Sequence, residues 1–228
     1  MNYRFLIIIV GLLNCLDVKT QTHYEYWLKL QIEHSIKRWQ IGTDLQFRTQ
    51  ANYLQQSYNP FQNQLTYSFR FWTNYKLKTS TILISPFAYF RNVDFNKDTV
   101  SVLADEWRTS VGFLKNLSRK HHEFNFRFIY EHRQFIEHNK QMERSRYLIR
   151  WRPLIFRQGQ SATQPFIQEE YFLRLDPGKY ICDQNRVQIG MKYKTTKLDV
   201  SVAYQWTKQR VETFTNRHQL LTSILLTL

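Results

Sequence analysis

The sequence predicts an all-β fold, a transmembrane antiparallel up-and-down β-barrel of about 10–12 strands. Three observations predict it. Apolar and polar residues alternate with period two in segment after segment, and the connections between segments alternate short and long. An export-type leader precedes them, with no second apolar run of helix-spanning length. The clearest segment is Asn185 to Trp206, where Val187, Ile189, Met191 and Tyr193 alternate with Arg186, Gln188, Gly190 and Lys192. After a turn at Thr195-Thr196 the alternation resumes with Leu198, Val200, Val202, Tyr204 and Trp206, giving a hairpin with one greasy and one wet face. Aromatics make up 16% of the chain although mean hydropathy is -0.53, so apolar and polar residues must be finely interleaved.

Taken in order, the chain opens with Met1 to Arg4, an apolar run from Phe5 to Leu13, and a polar stretch from Asp17 to Gln21. That layout reads as a cleaved signal peptide over residues 1–20, with 21–228 as the barrel. Cys15 lacks a good lipoprotein context, and without the leader Cys182 is the one cysteine left, so no intramolecular disulfide is expected. The first strand places Tyr24, Tyr26, Leu28, Leu30 and Ile32 opposite Glu25, Lys29, Gln31 and Glu33. A turn over Ser35 to Arg38 leads to Trp39, Ile41, Leu45 and Phe47, backed by Gln40, Asp44, Gln46 and Arg48. A polar loop from Thr49 to Asn63 precedes Leu65, Tyr67, Phe69 and Phe71. The fourth segment, about Thr81 to Arg91, has no clean facing, since Ile82, Leu83 and Ile84 are all apolar and Pro86 interrupts the ladder.

A second polar loop, Asn92 to Ala104, leads to Trp107, Thr109, Val111 and Phe113. A basic turn, Leu117 to His121, precedes Phe124, Phe126, Phe128 and Tyr130, and Gln134 to Ser145 reads as polar loop. Tyr147, Ile149 and Trp151 then alternate with Arg146, Leu148, Arg150 and Arg152. The segment Gln164 to Leu175 is weaker, because adjacent Glu169 and Glu170 put one carboxylate on each face. After Asp176-Pro177-Gly178 comes the hairpin already described, and the chain closes on Leu220, Thr222, Ile224, Leu226 and Leu228.

Alternation alone fits a soluble barrel with a greasy interior as well as a membrane barrel turned inside out. The leader, the aromatics at strand ends (Tyr24, Tyr26, Tyr193, Tyr204, Trp206) and the sorted connections favour the outer membrane of a Gram-negative cell. Eleven segments can be counted. If the short turns are periplasmic, the first strand starts outside, whereas bacterial barrels normally have even counts and periplasmic termini.

The stretch Trp27 to Arg48, the Asn185-Arg186 start, the Gly190-Met191-Lys192-Tyr193 centre and the apolar last strand carry a resemblance. The chain resembles an uncharacterised Bacteroidota outer-membrane β-barrel family, of the domain of unknown function 2490 type. The resemblance covers nearly all of the chain after the leader. It implies a fold and a location, and no established activity. The terminal Leu228 departs from the aromatic that outer-membrane barrels usually carry.

The formal net charge is +14, a surplus that fits anionic headgroups or an anion-lined pore; for an exported protein nucleic acid is not expected. The histidine clusters His121-His122 and His132…His138 lack metal-site spacing, and no cofactor or metal is expected. No G-x-S-x-G elbow or Gly-rich phosphate loop is present. A phospholipase-like Ser223–His218 pair would lie five positions apart on one strand, on opposite faces and about 17 Å apart.

If the greasy face meets lipid, Arg48, Arg70, Arg108, Arg127, Arg150, Arg152 and Arg186 point into the lumen, together with Asp44, Glu106, Glu131 and Asp199. The expectation is a non-enzymatic outer-membrane barrel, either structural and plugged by salt bridges or a small passive, porin-like channel preferring anions. The alternatives are a phospholipase-like lipid-modifying enzyme and a soluble exported ligand-binding β-barrel. Expected partners are outer-membrane lipids and lipopolysaccharide, with barrel assembly machinery during insertion, around a monomer. Basic residues in turns and loops, Lys76, Lys78, Arg119, Lys120 and Lys140, are candidates to meet lipid phosphates.

Overall fold

Successive side chains on a strand point to opposite faces, so each period-two segment can present an apolar row to one side of a sheet and a polar row to the other. The computed structural model describes residues 21–228 except 52–56, 97–98, 120–121, 138–139, 154–155, 159–160, 177–178 and 211–213. The expected leader, Lys120, His121, His138, Pro177 and Gly178 lie outside the described residues. Twelve strands form: β1 (Gln21–Ile36), β2 (Trp39–Gln50), β3 (Asn63–Lys76), β4 (Ser80–Asn96), β5 (Thr99–Arg119), β6 (His122–Phe135), β7 (Lys140–Pro153), β8 (Phe156–Gln158), β9 (Ser161–Asp176), β10 (Lys179–Lys194), β11 (Leu198–Arg210) and β12 (Phe214–Thr227).

Eleven of these are staves of one closed barrel. Each pairs antiparallel with its neighbour, and β9 pairs with both β7 and β10. The short β8 is not a stave. It follows Pro153, which has no N–H to donate, and lies along the first residues of β9 in line with β7. Closure runs through β1 and β12, which pair parallel from Gln21↔Thr215 to Glu33↔Thr227. An odd number of up-and-down staves forces this, because the first and last then run the same way. It resolves the difficulty over the termini: β1 begins at the rim of the long connections and β12 ends at the rim of the short ones. There Leu228 donates its N–H to the Glu33 carbonyl at 2.9 Å.

The long polar loops are shorter than the sequence suggests. Asn92 to Ala104 is mostly strand, with Asp94 opposite Val102 and Asn96 opposite Thr99, and Gln134 to Ser145 is strand on both sides of its tip. Leu117 to Arg119 likewise stays in β5. The alternating rims are therefore tight turns at one end and projecting hairpins at the other. Two strands paired to each other can leave the apolar zone without an apolar face, so polar sequence there does not end the ladder. The tightest short turn places Lys37 at φ 54, in the left-handed region.

The irregular segments are bulges. β4 has one extra residue between Ser85 and Ala88, where Pro86 sits without breaking a needed hydrogen bond and Ser85 donates its hydroxyl to the Phe71 carbonyl at 2.9 Å. A second bulge at Asp183 shifts β10 against β9 between Cys182 and Gln184.

The two faces are inverted relative to a soluble protein. Ile189, Val111 and Ile149 are 59%, 52% and 52% exposed, while Glu106, Gln219 and Glu25 are 0%, 1% and 2% exposed. Aromatic pairs tie neighbouring staves on the outer face, among them Phe87–Trp107 at 4.5 Å and Phe128–Tyr147 at 5.2 Å between centroids. The parallel seam is testable. With Cys182 replaced by Ser, Gln31→Cys combined with Leu225→Cys should form a disulfide on mild oxidation, seen as a shifted band on non-reducing gels. An antiparallel seam would carry Leu225 to the far end of β1 and give no bond.

Candidate functional site

Every second residue of each stave points into the lumen, and there polar side chains can persist only if they satisfy one another. The eleven lumen candidates from the sequence all lie on this inner face. Asp44, Glu106, Glu131 and Asp199 are buried there. Asp44 accepts from Arg70 at 2.6 Å and faces Lys29 at 3.6 Å. Glu106 accepts from Arg108 at 2.7 Å and, through a forked pair, from Arg133. Asp199 pairs with Lys192 at 2.7 Å, and Arg152 with Glu123 at 2.6 Å.

The centre of the lumen is a chain of shared carboxylates. Arg146 donates to Glu131 at 2.6 Å and to Glu170 at 2.8 Å. Glu131 also accepts from Arg144 at 2.7 Å. Glu170 also accepts from Arg127 at 2.9 Å and faces Arg186 at 3.8 Å. Arginine suits these positions because its planar fork can bond two carboxylates at once and can lie over a ring. Phe172, fully buried, has the guanidinium carbons of Arg144, Arg146 and Arg186 within 4.9 Å of its centroid. Arg48 lies 3.7 Å over Trp27, and Arg108 lies 3.6 Å over Phe90.

Toward the projecting hairpins the lumen is filled. Glu25 accepts from Trp27 at 2.7 Å, Gln219 at 2.7 Å and Arg217 at 2.9 Å, and Gln219 is bonded in turn by Gln205 and Thr207. Toward the short turns a cavity of about 320 Å³ remains. It is lined by ten Lys and Arg side chains and by three carboxylates, Asp44, Glu170 and Asp199. Two of its arginines have no carboxylate partner among the described residues. Arg48 reaches only Gln46, at 3.5 Å, and its Nε is buried without an acceptor. Arg150 donates to Gln168 at 2.6 Å and stacks 5.2 Å from the Phe166 centroid. Gly190 makes the room for that ring: a Cβ there would lie 2.8 Å from the Phe166 Cζ and 2.6 Å from the Ala203 Cβ.

Sequence reasoning missed Glu25, Lys29, Glu123, Arg133, Arg144, Arg146, Glu170 and Arg217 as lumen charges. The signal was present. Arg144 and Arg146 are in phase with Arg150 and Arg152, and Glu170 is in phase with Gln168. The other member of its pair, Glu169, points outward, where it accepts from the Tyr171 hydroxyl at 2.6 Å and Asn185 at 3.2 Å. Ser223 and His218 also part company. Ser223 lines the cavity, whereas His218 is bonded by Tyr204 and stacks on Tyr24 at 5.6 Å on the other face. No cluster of three or more His, Cys, Asp or Glu able to hold a metal occurs among the described residues.

The family model described as Protein of unknown function (DUF2490) matches residues 24–219. The chain belongs to this family. All of the cavity lining lies within the DUF2490 match except Leu221, Thr222, Ser223 and Leu225 of β12. No curated protein matches the sequence. Among solved structures, the chain is similar to a bacterial polysaccharide outer membrane secretin, with TM-score 0.52 and 12% identity over 82% of this chain. That likeness is one of fold, and this chain spans 63% of the secretin's length. A β domain of the Bordetella autotransporter Brka gives TM-score 0.47 and 8% identity over 82% of each chain.

The shared carboxylate at Glu170 sets the expected weak point of this DUF2490 barrel. Glu170→Gln removes the anion among Arg127, Arg146 and Arg186 and should destabilise the fold by about 3–5 kcal/mol, because buried cations are left uncompensated. Urea titration of the refolded barrel in detergent, read by the heat-modifiable band on gels, measures it.

Proposed function

We propose that the chain is a non-enzymatic outer-membrane β-barrel, inserted as a monomer among lipids and lipopolysaccharide, whose lumen favours anions and passes them only narrowly. The observation that carries the membrane reading is the inversion of the faces. A belt of Leu, Ile, Val, Phe, Tyr and Trp on the outside, around a lumen of buried carboxylates and arginines, is stable where the surroundings are hydrocarbon. A soluble ligand-binding barrel needs the reverse arrangement. The fold shared with an outer membrane secretin supports the same location. The sign of the lumen follows from the cavity lining, in which cations outnumber carboxylates, and the narrowness from the ion pairs Arg144–Glu131, Arg146–Glu131 and Arg146–Glu170 that occupy its centre.

Separation of outer from inner membranes, followed by immunoblotting, should find the protein in the outer-membrane fraction and extractable only by detergent; recovery in the soluble periplasm overturns the reading. Ile189→Arg places a charge on the outer belt and should cost about 2–4 kcal/mol near the bilayer midplane, measured by refolding into lipid vesicles. In planar bilayers under a KCl gradient the conductance should be small, with a reversal potential on the chloride side. A cation-selective reversal potential overturns the anion preference.

A further inference from the structure

We propose that the cavity is a binding site for a small phosphoryl-bearing solute, entered from the rim of short turns and seated on Arg48 and Arg150. This rests on the anion-favouring lumen described above and goes further, from a diffuse preference to a saturable site of defined chemistry. Three observations carry it.

First, most cavity cations are already held by carboxylates, and Arg48 and Arg150 are not. A guanidinium presents five donors. Arg48 spends one on a long contact to Gln46, and its Nε, like that of Arg127 in the same cavity lining, is buried with nothing to donate to. Burying such groups is costly unless an acceptor arrives. Stacking on Trp27 and Phe166 holds both guanidiniums in place, so a ligand need not order them on arrival.

Second, the donors approach from separate staves, β2, β6 and β7, rather than from one plane. A planar carboxylate satisfies one fork. A tetrahedral phosphoryl group carries three oxygens that can accept from forks in different directions. The volume, about 320 Å³, exceeds that of a bare phosphate and leaves space for a small attached body against Leu221 and Leu225.

Third, the approach is one-sided. The short turns at Lys37-Arg38, Lys76 to Ser80 and Lys194 to Leu198 carry six exposed cations, Lys37, Arg38, Lys76, Lys78, Lys194 and Lys197, and no carboxylate. At the other end, Glu25, Gln219 and Gln205 are joined in one hydrogen-bond network. Cationic turns leading into a low-dielectric cavity with a surplus of cations concentrate anions at that mouth.

The test is isothermal titration of the full-length refolded barrel in detergent with inorganic pyrophosphate, at constant ionic strength set by NaCl. Saturable one-site binding is expected. Arg48→Gln with Arg150→Gln should weaken it by about tenfold or more while leaving heat-modifiable mobility intact, since neither arginine holds a carboxylate. Arg91→Gln, outside the cavity, should leave binding unchanged. Absence of saturable binding to the wild-type barrel, or equal binding by the double variant, overturns the site. Chloride selectivity in bilayers that survives either result separates failure of this site from failure of the anion-favouring lumen. Citrate binding as tightly as pyrophosphate overturns the phosphoryl assignment in favour of carboxylate.

Discussion

The parallel pairing of β1 with β12 is the constraint on which the rest of the structure depends. A sheet with eleven up-and-down staves cannot close antiparallel, and an open edge in hydrocarbon would leave a row of unpaired N–H and C=O groups. The register from Gln21↔Thr215 to Glu33↔Thr227 pairs that edge over nearly the whole of β1. It also places the start of β1 and the end of β12 at opposite rims, so the barrel has no two-fold likeness between its ends. The short-turn rim receives the C-terminal carboxyl end and the lysine-rich turns; the other receives the start of β1 and the projecting hairpins.

Inside this frame, charge is managed by sharing rather than by one-to-one pairing. Glu170 serves three guanidiniums, while Glu131, Glu106 and Asp44 serve two cations each. A shared carboxylate lets residues separated by 43 positions in sequence, such as Arg127 and Glu170, bond over the intervening stave β7. It also leaves the interior with an excess of positive charge, which the aromatic rings offset only in part. Removing water from such a cluster costs several kcal/mol per ion, and the ion pairs repay this only where their remaining donors find acceptors. Around Glu25 three donors converge on one carboxylate. The Nε groups of Arg48 and Arg127 find no acceptor, and both arginines line the cavity.

The fold was largely legible because period-two alternation is set by the pleat itself, and the staves containing Val202, Phe126 and Tyr147 obey it without interruption. What was illegible has separate physical causes. Alternation reports that two faces differ and not which one faces inward, so the inversion had to be argued from the leader and the connections. The hairpin extensions at Asp94–Val102 and Gln134–Gln141 pair through backbone hydrogen bonds that no side-chain pattern records. At Pro86 and Asp183 a bulge moves the phase by one residue, so reading outward from a clear segment gives the wrong face beyond it. The lumen charges carried by Arg48, Arg70 and Arg186 follow from phase alone. The pairing that makes Glu170 the hub does not, since it depends on the register of four neighbouring staves, which sets Arg127, Leu148, Glu170 and Arg186 in one row.

The distribution of aromatic residues shows how the two faces are coupled. On the outside, rings such as Phe87 and Trp107 pack at a tilt between staves and contribute area to a lipid boundary. On the inside, Trp27, Phe90, Phe166 and Phe172 present their faces to guanidiniums at 3.6–5.2 Å. The inner rings therefore do the work that counter-ions do elsewhere, holding arginines flat against the wall without neutralising them. A lumen built with carboxylates at those four places would be closer to neutral and would have no reason to attract an anion. Stacking rather than pairing is what keeps the cavity both ordered and positively charged.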